Sequence, residues 1–176
     1  MTSSDQDLVN IIASLTLMIV IALAVRQDLL EHRISNLLIL AALVAGLSIH
    51  SLLGGLDGFV HALAGAGIGL VCLLPLYLGK GMGAGDVKLM AAAGALLGPF
   101  NAFVAAVLTL MFGAVLAVAI LVWRMIEVRQ ATAGAPDLSQ VRKERFPYAV
   151  AIGLGAIATM WLRGMLEPLL RGVTTP

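Results

Sequence analysis

Two aspartates lie at the ends of apolar segments in a chain that carries few charges. Asp28 follows the first apolar stretch, and Asp86 lies in the glycine-rich string GMGAGDVKLM between two further stretches. A carboxylate beside a membrane-spanning segment is energetically expensive, so such residues are usually functional. Two carboxyl groups that share one proton can act as general base and general acid on a peptide bond. That chemistry requires neither a metal ion nor a covalent intermediate.

The glycines before Asp86 predict that a peptide backbone can approach this carboxylate closely. Gly81, Gly83 and Gly85 lack side chains that would hold such a backbone away. A substrate helix must unwind to expose a peptide bond, and a gap lined by glycines would admit the extended strand. We expect Lys88 to anchor the segment at the membrane interface or to shape the site.

Composition assigns the chain to the integral membrane proteins. It has 176 residues, of which 60% are hydrophobic and 12% are charged, and its mean hydropathy is +1.01. Soluble domains carry about 25% charged residues. A net charge of +1 without a basic run argues against nucleic-acid binding. Because Cys72 is the only cysteine in the sequence, an intrachain disulfide and a cysteine zinc site are excluded. We expect no metal and no other cofactor.

The apolar stretches predict an all-α membrane bundle of about six transmembrane helices. A spanning helix needs about 20 apolar residues. Six candidate segments meet or approach this length, at residues 8–25, 37–53, 56–78, 87–97, 102–123 and 148–166. We expect the short fourth segment to tilt or to extend past Pro99. Residues 1–176 are treated as one membrane domain with a cytoplasmic loop at 124–146, and the first segment as a retained helix rather than a signal peptide.

Positive charges predict the orientation, because cytoplasmic segments are enriched in lysine and arginine. With the N-terminus outside, nine basic residues fall on the cytoplasmic side, and only Arg163 and Arg171 fall outside. Both termini would then lie outside the membrane. Asp28 and Asp86 would share the cytoplasmic side at similar depth, and their carboxyl groups could converge if the first and fourth helices are neighbours.

The strings around the two aspartates resemble motifs of a known family. GAGDVKLMAAAGALLG resembles the GxGD segment of the type IV prepilin peptidases, which are membrane aspartic proteases that process pilin precursors. The string D-x4-R-I-S-N contains Asp28, Arg33 and Asn36 and resembles their first aspartate motif, with Ser35 where proline is usual. KERFPYAVAIGLGA resembles their final-helix motif, so the resemblance extends from Asp28 to Ala156.

This resemblance implies an aspartic endopeptidase in which Asp28 and Asp86 form the catalytic pair. Five further motif residues would position the motifs or the substrate: Gly83, Gly85, Lys88, Arg33 and Asn36. For Arg33 and Asn36, purely structural support of the loop is the alternative.

The resemblance also implies a substrate class. Larger prepilin peptidases carry paired CxxC zinc motifs and methylate their product, whereas this chain looks like the short tight-adherence (Tad/CpaA-like) form that serves Flp-type pili. It would cleave Flp prepilins and pseudopilins after a glycine, at the cytoplasmic face of the bacterial inner membrane, without N-methylation. Its partners would be these precursors and the lipid bilayer, and the sequence does not indicate an oligomeric state.

Three other functions stay open. A small proton-coupled transporter also uses intramembrane carboxylates, although it usually carries them deep within its helices. A non-catalytic membrane subunit of pilus assembly would tolerate the loss of either aspartate. A related GxGD protease would cut other signal-like peptides.

Several polar and small residues are expected to have structural roles. His50 and His61 are predicted to be packed or hydrogen-bonded rather than metal ligands. Gly65 and Gly69 form a small-residue face that favours close helix packing within the bundle. Asp57 is expected at the outer face, away from Asp28 and Asp86.

Overall fold

The computed structural model describes residues 3–31, 33–130 and 148–174, and its regular secondary structure over these ranges is entirely helical. The prediction of an all-α fold is therefore confirmed. Five helices follow one another along the described chain: α1 (Ser3–Glu31), α2 (Asn36–Leu78), α3 (Ala84–Leu97), α4 (Pro99–Gln130) and α5 (Tyr148–Thr174).

The helices have the length and surface of a multi-pass membrane protein. Within the described ranges, three are long and apolar enough to cross a membrane, over Leu8–Glu31, Asn36–Leu78 and Pro99–Trp123. Large apolar side chains cover their outer surfaces; Leu52 and Phe100, for example, are 84% and 76% exposed. Such a surface is rare on soluble proteins but suits contact with lipid chains. The count of six spans and the outside location of both termini stay predictions.

α2 reverses direction at Gly55 and forms a helical hairpin. Its 43 residues would reach about 65 Å as a straight helix, roughly twice the hydrocarbon thickness of a bilayer. Gly55 has φ 61° and ψ −141°, a conformation open essentially to glycine alone. The rings of His50 and His61 stack with their centroids 5.9 Å apart, whereas eleven residues of straight helix would separate them by about 16 Å. The two halves match the predicted segments 37–53 and 56–78.

α3 is the short, buried centre of the bundle. It has 14 residues, and residues 89–97 are all buried. Gly98 interrupts the helix with φ 77°, and α4 begins at Pro99, a residue type that the first helical position tolerates. This segment therefore does not extend past Pro99, one of the two behaviours expected of it, because Gly98 breaks the helical path.

Three helices continue beyond the ends of their predicted apolar stretches, and one of them, α5, runs to Thr174 rather than to residue 166. α1 extends to Glu31 and α4 to Gln130, so residues 124–130 of the predicted cytoplasmic loop are helical. The remainder of that loop, up to residue 146, lies outside the described residues. Hydropathy marks the part of a helix that meets lipid, whereas its hydrogen-bonded backbone continues into the polar flanks.

Glycines allow α2 and α3 to approach each other closely. A Cβ at Gly65 would fall on the carbonyl oxygen of Gly94, and one at Gly69 would crowd the backbone of α3. Gly46, on the first half of the hairpin, lies against Ala95 in the same way. The predicted packing role of Gly65 and Gly69 within the bundle is confirmed, and α3 is held between the two halves of α2.

Substitution of Gly65 tests this contact. We expect Gly65→Ala to lower the free energy of unfolding by about 1–3 kcal/mol, the usual effect of overpacking, because the added methyl group would overlap the backbone of Gly94. Gly67→Ala is the matched control, since a Cβ there meets no atom within 4 Å. Thermal unfolding of the purified protein in detergent measures the difference. Equal midpoints for the two variants would show that the helices do not touch at Gly65.

Candidate active site

The two aspartate motifs meet at one end of the bundle. α1 ends and α2 begins there, on either side of the loop that contains Ile34, and α3 also begins there. Nζ of Lys88 donates a hydrogen bond to Oδ1 of Asn36 over 3.3 Å. A Cβ at Gly85 would lie 3.7 Å from Cβ of Ile34. A hydrogen bond between residues 52 positions apart in sequence thus connects the first motif to the second.

The side chain of Asp86 forms a capping hydrogen bond in the first turn of α3. The backbone N–H of Gly83, the N-cap residue, donates a hydrogen bond to Oδ2 of Asp86 over 3.2 Å. This is the side-chain-to-backbone half of a capping box, and a glycine cap has no side chain to supply the other half. A carboxylate in the first turn also interacts favourably with the positive end of the helix dipole. Both interactions hold the half-buried carboxyl group of Asp86 in one orientation.

The two glycines of the GxGD string have different surroundings. A Cβ at Gly83 would lie 3.1 Å from Oδ2 of Asp86, so the carboxyl group would have to move by a few tenths of an ångström. A Cβ at Gly85 would make only an ordinary van der Waals contact with Ile34. Gly83 therefore leaves room for the carboxyl group itself, whereas Gly85 faces the loop of the first motif.

The turn before the motif is tight, and its left-handed residue is a lysine. Lys80 has φ 57°, whereas none of the glycines between residues 79 and 85 has a positive φ. The N–H groups of Lys80 and Gly81 donate to the carbonyl oxygens of Tyr77 and Leu76, each over 2.9 Å. This pair of hydrogen bonds is the Schellman motif that commonly ends a helix. The segment that leads into the GxGD string is therefore held to the last turn of α2 by backbone hydrogen bonds.

Asp28 lies in the last turn of α1. Its side chain is half-buried, and its Oδ2 atom is shielded from solvent. The preceding residue, Gln27, accepts a hydrogen bond at Oε1 from the N–H of Ser35 over 2.9 Å. This bond fastens the loop of the first motif to the end of α1 that carries Asp28.

Ser35 has a structural role that the usual proline could not fill. Its N–H reaches Gln27, and proline has no N–H. Its Oγ accepts the N–H of Leu37 over 3.2 Å and caps α2. Serine, which stands here in place of the usual proline, therefore holds the loop through these two hydrogen bonds. Arg33 lies exposed in the same loop, at the end of the bundle where the two motifs meet.

Tyr148 is a neighbour of the site that sequence reasoning did not single out. It is the first residue of α5 and lies near enough to Asp86 for the negative charge of that carboxylate to act on its phenol group. Its ring packs over Gly113 of α4, where a Cβ would lie 3.6 Å from Cε1. The only signal in the sequence was the string KERFPYAVAIGLGA, which does not indicate proximity to Asp86.

Asp57 and the histidines of α2 lie at the opposite end of the bundle. Asp57 is two residues beyond the bend at Gly55, near the stacked rings of His50 and His61. Nδ1 of His50 lies 3.0 Å from the carbonyl oxygen of Gly46 in a buried hydrogen bond, which confirms its predicted structural role. Among the described residues, no three His, Cys, Asp or Glu side chains are grouped to hold a metal ion.

Comparison with known sequences decides the family. A sequence model of the type IV leader peptidase family matches residues 15–121, which is more than half of the chain and includes both aspartate motifs. The chain belongs to the type IV leader peptidase family. No curated protein and no solved structure matches it. This leader peptidase is therefore a protease whose family implies prepilin-type substrates, and the family predicted from the motifs is confirmed.

The bond between Lys88 and Asn36 can be tested with a double-mutant cycle. We expect Lys88→Met and Asn36→Ala to destabilise the leader peptidase non-additively, with a coupling of about 0.5–1 kcal/mol, the low end for a hydrogen bond because both side chains are exposed. Lys80→Met is the control, since this exposed lysine lies outside the bond. Thermal unfolding measures all variants, and additive losses would contradict the contact.

Proposed function

We propose that this leader peptidase is an aspartic endopeptidase with Asp28 and Asp86 as its catalytic pair. One observation carries the proposal. The hydrogen bond between Lys88 and Asn36 brings the segment of each aspartate to the same end of the bundle. The family of the chain indicates which reaction the pair would catalyse, because its members cleave leader peptides.

The pair would hydrolyse the peptide bond through an activated water molecule. One carboxyl group is ionised and accepts a proton from water as the water oxygen attacks the carbonyl carbon. The other is protonated and donates to the carbonyl oxygen, so that neighbouring like charges are avoided. The carboxyl group that took the proton from water gives it to the leaving nitrogen as the C–N bond of the tetrahedral intermediate breaks, and a hydroxyl group of that intermediate returns its proton to the other carboxylate as the C=O bond re-forms. One shared proton remains on the pair, and the cycle uses no cofactor.

The cytoplasmic face is the proposed side of cleavage. Four exposed basic residues lie in the segments that carry the aspartates: Arg26, Arg33, Lys80 and Lys88. Positive charge is enriched on the cytoplasmic side of membrane proteins. This distribution supports an active site at the cytoplasmic face of the bacterial inner membrane.

The proposed substrates are Flp-type prepilins and pseudopilins, cut without N-methylation. The motifs around Asp28 and Asp86 resemble those of prepilin peptidases in general, and the chain resembles the short tight-adherence form of the family in its single cysteine. Cys72 is the only cysteine of the 176 residues, so they contain no paired CxxC zinc motif of the kind found in methylating forms. Its side chain packs against the hydrophobic core.

Asparagine substitutions test the catalytic pair. We expect Asp28→Asn and Asp86→Asn each to slow cleavage of a Flp-type prepilin in membranes by about 10²–10⁴-fold or more, the usual contribution of general acid–base catalysis. Asparagine keeps the shape of aspartate, and at position 86 its oxygen can still accept the N–H of Gly83. Asp57→Asn is the matched control, because Asp57 lies at the bend of α2 at the other end.

The readout of this experiment separates the alternatives. Mass spectrometry of the mature pilin identifies the cleaved bond and any added methyl group. Cleavage that survives in either site variant, at normal protein level, would make that aspartate structural and favour a non-catalytic assembly subunit or a transporter. A methylated product would refute the proposed absence of N-methylation while leaving the protease assignment intact.

A methyl group at Gly83 tests the placement of Asp86. We expect Gly83→Ala to lower kcat about 10-fold with little change in KM, because the carboxyl group must move by a few tenths of an ångström and a misplacement of 1 Å can cost about 100-fold. Gly79→Ala is the control, since its φ is −74° and its Cβ would meet Pro75 O at 3.4 Å, an ordinary contact. An unchanged kcat for Gly83→Ala would show that Gly83 does not govern the position of Asp86.

A further inference from the structure

Asp28 and Asp86 lie at helix ends of opposite polarity. Asp28 is in the last turn of α1, which ends at Glu31, whereas Asp86 is in the first turn of α3, which begins at Ala84. The dipole of a helix places partial positive charge at its N-terminus and partial negative charge at its C-terminus. A carboxylate is therefore stabilised at the position of Asp86 and destabilised at the position of Asp28.

The backbone at the start of α3 adds to the stabilisation of an ionised Asp86. The N–H of Gly83 donates to Oδ2 of Asp86 over 3.2 Å, and such a hydrogen bond is stronger when the acceptor is charged. Side chains also tilt toward the N-terminus of their own helix, which brings this carboxyl group nearer to the N–H groups of the first turn. Protonation of Asp86 would weaken the hydrogen bond and remove the interaction with the dipole.

The surroundings of Asp28 favour its protonated form. Its Oδ2 atom is shielded from solvent, and removal of water from a carboxyl oxygen penalises the charged form. The last four carbonyl groups of a helix have no partner within it, and in α1 they belong to the turn that contains Asp28. A proton on Asp28 removes the repulsion between a carboxylate and these carbonyl oxygens.

The helices that carry the two aspartates are in contact. α1 packs against α3 within the bundle, and the bond between Lys88 and Asn36 lies at the end where both aspartates are found. Neighbouring carboxyl groups share one proton, because two adjacent negative charges repel each other. The two helix ends then determine which of the carboxyl groups carries that proton.

The other titratable groups at this end do not reverse the preference. Tyr77 of α2 and Tyr148 of α5 are phenols, which are neutral near pH 7, and the O–H of Tyr148, near Asp86, is a donor suited to a carboxylate. The described side chains of α4 include no titratable group. Five charged side chains at this end are exposed, so water and salt screen them: Arg26, Glu31, Arg33, Lys80 and Lys88.

We propose that Asp86 is the ionised member of the pair and the general base, and that Asp28 is the protonated member and the general acid. Asp86 takes a proton from water as the water oxygen attacks the carbonyl carbon, and Asp28 gives its proton to the carbonyl oxygen. Asp86 then gives its proton to the leaving nitrogen as the C–N bond breaks, and a hydroxyl group of the intermediate returns one to Asp28. These roles rest on the proposed function, whereas the location of the proton can be measured without it.

Two reagents that react with different forms of a carboxyl group test the location of the proton. Phenyl glycidyl ether is an epoxide, and an ionised carboxylate opens it to form a hydroxy ester. Ethyl diazoacetate takes the proton of a carboxylic acid, loses dinitrogen and forms an ester with the resulting carboxylate. Each reagent is applied to the full chain in detergent at about pH 6, where an exposed glutamate is ionised, and mass spectrometry of the peptides locates the labels.

We expect the epoxide to label Asp86 at least about 10-fold faster than Asp28, a ratio that corresponds to about 1.4 kcal/mol between the two locations of the proton. Ethyl diazoacetate should show the opposite preference and label Asp28. Restricted access would slow both reagents at the same residue, so opposite preferences report protonation. The epoxide on Asp28 with the diazoacetate on Asp86, or equal labelling of both residues by each reagent, would overturn the proposal.

Glu31 is the internal reference for both reagents. It is exposed in the same last turn of α1 as Asp28, so it should react with the epoxide and not with ethyl diazoacetate. The contrast between Glu31 and Asp28 then reports the environment of Asp28 rather than the reagents.

Asparagine variants test whether the two carboxyl groups share the proton. In Asp28→Asn, we expect the epoxide to label Asp86 at an unchanged rate, because the start of α3 keeps it ionised without its partner. In Asp86→Asn, we expect Asp28 to react faster with the epoxide, because the neighbouring negative charge is gone. Slower labelling of Asp86 in the first variant, or unchanged labelling of Asp28 in the second, would overturn the proposal.

The labelled protein also separates this proposal from the proposed function. Cleavage of a Flp-type prepilin should fall in proportion to the fraction of Asp86 that carries the epoxide label. Cleavage that continues after complete labelling of Asp86 would refute the catalytic pair, and with it the roles of base and acid, while the measured location of the proton would stand.

Discussion

The arrangement of this leader peptidase depends on how closely the hairpin of α2 approaches α3. In a membrane, burial of apolar surface does not draw helices together, because lipid chains are equally apolar, so association depends on close van der Waals packing of small residues. Gly65 and Gly94 provide that packing where the two backbones touch, and Gly46 lies against Ala95 on the other half of the hairpin. Because Asp86 lies in the first turn of α3, this contact also determines where its carboxyl group stands.

The hairpin connects the two halves of the proposed site through one continuous element. Its first half begins beside the loop that follows Asp28, and its second half ends at the turn that leads to Asp86. The reversal at Gly55 returns the chain to the end from which it started. The bond between Lys88 and Asn36 then holds that end together. A change in the angle of the hairpin would therefore move one motif relative to the other.

Much of this fold follows from the order of apolar residues, and the remainder depends on contacts between distant segments. Hydropathy predicted the two halves of α2, as segments 37–53 and 56–78, and the motifs predicted the family. The left-handed residue of the turn could not be predicted, because the neighbouring residues Gly79 and Gly81 are better suited to that conformation than Lys80. The proximity of Tyr148 to Asp86 could not be predicted either, because no sequence periodicity relates residues of different helices.

The location of the aspartates at helix ends favours hydrolysis over proton transport. A proton relay needs ionisable groups through the depth of the membrane, whereas Asp28 and Asp86 lie in the last turn of α1 and the first turn of α3. Both are half-buried, and exposed charged residues such as Lys88 lie beside them. Water is available at such an interface, and hydrolysis consumes water. In the proposed function this position also borders the bilayer, so an apolar precursor segment would present its peptide bond without leaving the membrane.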